Sequence, residues 1–129
     1  MDFYSIYQKV TFLVPEPPLP KESFAIITAH NPRGTILNTE DNFLLNQKLL
    51  EQLQDYKYTL ITGCSLDLKH QEASFAVICN KEQAIELARQ FEQNAIYWVE
   101  KEELWLLPVL LNWPDKSLGN FSSYIKNNL

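Results

Sequence analysis

Glycine is scarce in this chain, with three in 129 residues. No P-loop and no G-x-G-x-x-G pattern occurs, and so few glycines leave little room for the backbone cradles that hold phosphates. Cysteine is scarcer: Cys64 and Cys79 stand alone, without the C-x-x-C or C-x-x-H spacing of a zinc or redox pair. Both lie in apolar, β-like runs and read as reduced, buried thiols; a disulfide between neighbouring strands is the alternative. His30, His70, Glu72 and Cys64 are the residues that a metal would draw on, and no two have ligand spacing, so no metal or other cofactor is expected. No G-x-S-x-G elbow surrounds Ser74, which argues against a hydrolase nucleophile. There is no apolar run of about 18 residues, the length needed to cross a bilayer as a helix. Met1-Asp2-Phe3-Tyr4 opens without a basic or apolar leader, so no signal peptide is expected. Basic charge is also in deficit. A net charge of −5 and a pI near 5.0 disfavour non-specific nucleic-acid binding, which rests on phosphate neutralisation by Lys and Arg.

What is present suits one folded domain. At 129 residues, 46% hydrophobic and 12% aromatic, the chain can bury a core without disulfides or metals. We expect a single soluble, cytoplasmic domain over 1–129, with a core at about 23–108, an N-terminal strap over 1–22 and a tail over 109–129.

The pattern predicts a short helix at about 2–8 and a strand at about 9–14. Pro15-Glu16-Pro17-Pro18-Leu19-Pro20 then favours polyproline II, as a stiff surface strap or as a P-x-x-P ligand for a partner. Ser23 to Ala29 is almost continuously apolar, as in a strand buried on both faces. Thr39 can cap a helix over about 40–55, whose Leu45, Leu49, Leu53 and Tyr56 recur at helical spacing. Strands follow at 57–64 and 73–79. Asn80 and Gln83 form a capping box for a second helix with Ala84, Ile85, Ala88 and Phe91 on its apolar face. Strands at 95–99 and 104–107 make a hairpin across the charged turn 100–103. The tail reads as less regular, packing back through Trp113, Phe121, Tyr124 and Ile125. The fold class is therefore α+β, in the order β-α-β-β-α-β-β: a mostly antiparallel sheet with two main helices and a ferredoxin-like core.

Three polar clusters fall where strands begin or end. In Thr28-Ala29-His30-Asn31-Pro32-Arg33-Gly34, His30 could act as a base near neutral pH and Arg33 could fork onto a phosphate or carboxylate. A β-turn explains Asn31, Pro32 and Gly34 equally well. In Glu72-Ala73-Ser74-Phe75, Glu72 and Ser74 share a strand face and could hold a ligand, or Glu72 could hold Arg33. An ordinary polar strand start is the plain alternative. In Glu92-Gln93-Asn94, the two amides suit a planar polar group, while Asn94 can equally be the left-handed cap of a helix.

Taken in order, Thr28-Ala29-His30-Asn31-Pro32, Asn42, Glu72-Ala73-Ser74-Phe75 and Glu92-Gln93-Asn94-Ala95 resemble the bacterial domain-of-unknown-function family 3293. Its pattern is T-A-x-N-P, a later helix Asn, E-x-S-F and G-Q-N-A. The likeness covers about 24–108. This chain carries Glu92 where the family usually has Gly, and His30 where it is often aromatic. The resemblance implies that Asn31, Asn42, Glu72, Ser74, Gln93 and Asn94 gather, and it implies no reaction.

The leading expectation is a small binding module for a compact polar or nucleotide-like ligand. Its pocket is walled by Asn31, Arg33, Asn42, Glu72, Ser74, Gln93 and Asn94, with Tyr97 or Trp98 nearby. An enzyme using Glu72 as general acid or base is the second expectation. The third is a protein-interaction or homodimerisation domain using the strap, the hairpin edge at Leu104–Leu107 and the aromatic tail, its polar residues forming a structural network. No membrane partner is expected.

Overall fold

The computed structural model describes residues 2–15 and 19–127. Its elements run α1 (Phe3–Gln8), β1 (Thr11–Val14), β2 (Phe24–Ile27), α2 (Thr39–Gln52), β3 (Tyr58–Cys64), β4 (Gln71–Val77), α3 (Lys81–Gln90), β5 (Ala95–Glu100), β6 (Glu103–Pro108), β7 (Lys116–Asn120) and β8 (Ile125–Asn127). Of the expected proline strap, Glu16, Pro17 and Pro18 lie outside the described residues.

The sheet order is β7-β6-β5-β2-β4-β3-β1-β8. Every neighbouring pair is antiparallel except β1 with β8. Its centre, β5-β2-β4-β3, is the split β-α-β arrangement of a ferredoxin-like unit. The third strand of the unit is inserted beside the first, and both helices fall on one face. The apolar run of β2 explains its central place: Ala25 and Ile27 meet the helices, and Phe24 and Ile26 meet the opposite layer. Leu49 and Leu53 of α2 and Ala84, Leu87 and Ala88 of α3 complete the helix-side core.

The sheet does not stay open. Flat, eight strands at about 4.8 Å spacing would hold β7 and β8 roughly 34 Å apart. Yet only Phe121–Tyr124, a 3₁₀ turn, joins them, a link that spans at most about 17 Å. The Phe12 ring of β1 likewise meets Tyr97 of β5 at 5.2 Å, although three strands lie between them in the sheet. The sheet is therefore rolled. Phe12, Phe24, Ile26, Ile61, Ala76, Leu104 and Phe121 pack inside the roll, and Phe121 touches both Phe12 and Phe24. Each such large side chain contributes about 1.5–3 kcal/mol by leaving water.

Several expectations are corrected. The cap of α2 is Asn38, one residue earlier than Thr39, with its side chain accepting from the Asp41 N–H at 2.7 Å. β4 starts two residues early, because Gln71 and Glu72 pair with Cys64 and Gly63. The tail is not irregular: it supplies both edge strands. The hairpin Leu104–Leu107 is no free edge, since β7 covers β6 and Leu104, Leu106 and Leu107 are buried. Cys64 and Cys79 cannot bridge. One ends β3 beside the β3–β4 turn and the other lies beyond the far end of β4, a separation that no disulfide spans. Burial pushes both thiols up, Cys79 to about 11. At neutral pH both should react with a thiol reagent far more slowly than a free cysteine, and rapid labelling of the native protein would contradict that placement.

Candidate functional site

The rolled sheet has two mouths. At one, β2 ends, β4 begins and α1 lies across the opening, and the polar motifs meet there. Asn31 takes the left-handed conformation (φ 50°), which asparagine tolerates better than most residues. Its backbone N–H donates to Asn42 Oδ1 at 2.8 Å, and Asn42 Nδ2 donates back to Asn31 Oδ1 at 2.9 Å. Asn31 Oδ1 also accepts the Leu37 N–H. This reciprocal pair clamps the β2–α2 connection to the first turn of α2. The remaining donor, Asn31 Nδ2, reaches Glu72 Oε1 at 3.2 Å.

One turn further along α2, Asn46 does the same for the strand. It accepts the buried Ala29 N–H at 2.8 Å and donates to the Ala73 carbonyl at 2.9 Å. It thereby bridges β2 and β4 just where their own ladder stops. Gln93 Nε2 donates to the His30 carbonyl at 3.1 Å, and Asn94 Nδ2 donates to the Tyr7 hydroxyl at 3.2 Å. The Tyr97 hydroxyl donates to the Tyr7 carbonyl. Ser74 Oγ donates to the backbone carbonyl of Glu72.

Ala76 lies in the inner layer, so strand alternation sends Ser74 and Glu72 to that same face. Tyr97 packs there too. Trp98, its neighbour, points to the helix side, so of the two aromatics only Tyr97 belongs to the site. Gly34 seats α1 against this mouth. Its φ is +77°, and a Cβ there would stand 2.4 Å from Phe3 Cζ, so any other residue would strain the backbone and displace the Phe3 ring.

Glu72 differs from the residues around it. Burial pushes its carboxyl up, partly offset by the Asn31 hydrogen bond. Burial also raises the Tyr7 and Tyr97 hydroxyls, and the Glu72 charge raises both further. Three ionisable oxygens thus share one mouth. The two ion pairs among the described residues are Arg33–Glu92 and Arg89–Glu86, and neither offers Glu72 a cation. Glu72 is therefore a half-buried carboxyl with a single protein donor and unused acceptor capacity. His30 is held below its ordinary value by burial. Among the described residues no three of His, Cys, Asp and Glu converge.

Six of the seven expected residues, all but Arg33, thus bring their side chains to this mouth. Arg33 stands apart and does not hold Glu72. Its N–H donates to the Glu92 carbonyl at 2.7 Å, and its Nε meets the Glu92 carboxylate at 3.0 Å, both side chains being largely exposed. Asn94 is not the left-handed cap; Glu92 is, at φ 53°. The Gln93 N–H bonds to the Ala88 carbonyl and the Glu92 N–H to that of Arg89, a Schellman motif whose C′ position favours glycine. The left-handed cost at a non-glycine residue is about 1 kcal/mol, and an exposed ion pair returns at most about as much. Glu92→Gly should therefore stabilise the domain by up to about 1 kcal/mol in urea unfolding; a clear loss would show that the Arg33 pair dominates. Asn46 and Tyr7 escaped the sequence reading. The available signal for Asn46 was an asparagine spaced with Leu49 and Leu53 on an apolar helix face. Tyr7 carried none, because its place depends on how α1 folds over the mouth.

This geometry defines a ferredoxin-like α+β domain with a polar clamp at one sheet end. The chain belongs to the family described as Protein of unknown function (DUF3293), whose model matches residues 27–96. That span holds every clamp residue except Tyr7 and Tyr97. No curated protein and no solved structure matches the chain. Among the described residues no helix is long and apolar enough to cross a membrane.

Proposed function

We propose that the domain binds a compact polar ligand at the clamped mouth, with Glu72 as the anchoring group. The ligand presents an N–H donor to Glu72, as a protonated amine or the amino group of a nucleobase does. The observation that supports this is the carboxyl itself: a half-buried acid with one protein donor and no cation, where the surrounding amides are engaged with backbone, with one another, with the Tyr7 hydroxyl or, for Asn31, with Glu72 itself. Asn31 orients the carboxylate, and Tyr7 and Tyr97 flank it. Asn42, Ser74, Gln93 and Asn94 act as positioning residues. Arg33, whose exposed pair with Glu92 opens at little cost, can close over an anionic part of the same ligand. Two unpaired thiols suit the reducing cytoplasm.

A thermal-shift screen of nucleosides, nucleotides, polyamines and amino sugars tests the reading. Stabilisation by at least one class, lost in Glu72→Gln, is expected; no shift with any class would contradict it. The raised Glu72 carboxyl also favours a second reading, a general acid or base that the same ligand would meet as substrate. Turnover of the stabilising compound by the parent protein would favour this second reading, and binding without turnover the first.

A further inference from the structure

The other mouth of the roll holds a cavity of about 500 Å³, within the range of small-molecule sites. Its floor is apolar: Val14, Phe24, Val99, Phe121 and Ile125, of which the first four are buried. Its rim carries two adjacent pairs of opposite charge, Lys21 with Glu22 and Lys101 with Glu102. All four are exposed, and among the described residues none is in an ion pair. No lining residue belongs to the clamp or falls within the family match at 27–96, so the cavity is separate from the clamp around Glu72.

The turn that supplies half the rim is strained. Glu100 pairs with Glu103, leaving Lys101 and Glu102 as a two-residue hairpin loop with φ of 49° and 66°. Such a loop strongly prefers Asn-Gly, and lysine and glutamate hold left-handed backbone at a cost. Unfavourable backbone retained at a rim is characteristic of functional positions.

We infer that this cavity is a second binding site, for a free apolar α-amino acid or an equivalent small zwitterion. The apolar side chain rests on Phe24 and Phe121. The carboxylate sits between Lys21 and Lys101, and the ammonium between Glu22 and Glu102, so both pairs contribute. Paired charges of both signs select a head that carries both signs. A fatty acid or an alkylamine satisfies half of them and leaves the others opposed.

The test is calorimetric titration of the full chain with L-phenylalanine, beside phenethylamine and 3-phenylpropionate. L-Phenylalanine binds, and each analogue, lacking one charge-assisted contact, binds about tenfold more weakly. The double variant Lys101→Asn/Glu102→Gly relieves the turn, so it melts higher than the parent and loses affinity by about tenfold or more. Glu72→Gln leaves this affinity unchanged, which separates the two sites. Equal affinity for all three compounds, no binding of L-phenylalanine, or full affinity in the stabilised double variant would each overturn the inference.

Discussion

Asn46→Ala is expected to destabilise the domain by about 3 kcal/mol, more than any other polar-to-alanine change at the clamp. The Ala29 N–H is fully buried and has Asn46 Oδ1 as its partner. Removing that acceptor leaves a donor that water cannot reach, at about 1–3 kcal/mol. The lost bond to the Ala73 carbonyl adds to this, although Thr28 Oγ1 still donates there at 2.8 Å. In a domain of this size the midpoint should fall by roughly 10 °C. Asn46→Asp keeps an acceptor for Ala29 and loses the donor, so it should sit between parent and alanine near neutral pH. A loss under 1 kcal/mol for Asn46→Ala would mean that the bridge between α2 and the two strands is dispensable.

Glu72→Gln should have the opposite character. The amide keeps an acceptor for Asn31 Nδ2 and loses only the charge, so the clamp survives. Ligand affinity should fall about 100-fold, the scale seen when one member of a buried charge pair is removed. The two variants then divide the family residues by role. Loss of fold with Asn46 and loss of ligand with Glu72 would show that one network serves both purposes. If Glu72→Gln unfolded the domain, the carboxyl would belong to the scaffold.

The parts of this fold that local chemistry dictates were legible in the sequence. The apolar run Phe24–Ile27, the capping box of α3 and the charged hairpin 100–103 each announce themselves within a few residues. The edge strands did not. Lys116–Asn120 contains few β-formers and a glycine; it becomes a strand because β6 offers it an edge, with a bulge at Leu104/Trp105. β8 forms because the rolled sheet brings β1 near. Rolling is a long-range outcome of Phe12, Phe24 and Phe121 meeting, and no local pattern encodes it. The site shows the same division. Asn31, Glu72, Ser74, Gln93 and Asn94 could be picked out as polar residues at element ends, and the family resemblance added Asn42. That Arg33 turns to Glu92, that Glu92 takes the left-handed cap, and that Tyr7 meets Asn94 and Tyr97 all depend on α1 and α3 reaching the same mouth.

The central claim is that Glu72 is kept for a ligand and not for the fold, and its sign can be read from stability against pH. Its carboxyl titrates higher folded than unfolded, where the ordinary value is about 4.3. Its favourable contribution is therefore present below that value and disappears as pH rises through the raised folded value. At pH 7 the ionised side chain is a burden that glutamine lacks. Unfolding of the parent and of Glu72→Gln should be compared from about pH 3.5 to pH 7.5, spanning the carboxyl's titration. The variant is expected to be the more stable by about 1 kcal/mol at neutral pH, with the gap closing toward the acid end. A variant less stable than the parent at pH 7, with no narrowing in acid, would contradict the claim.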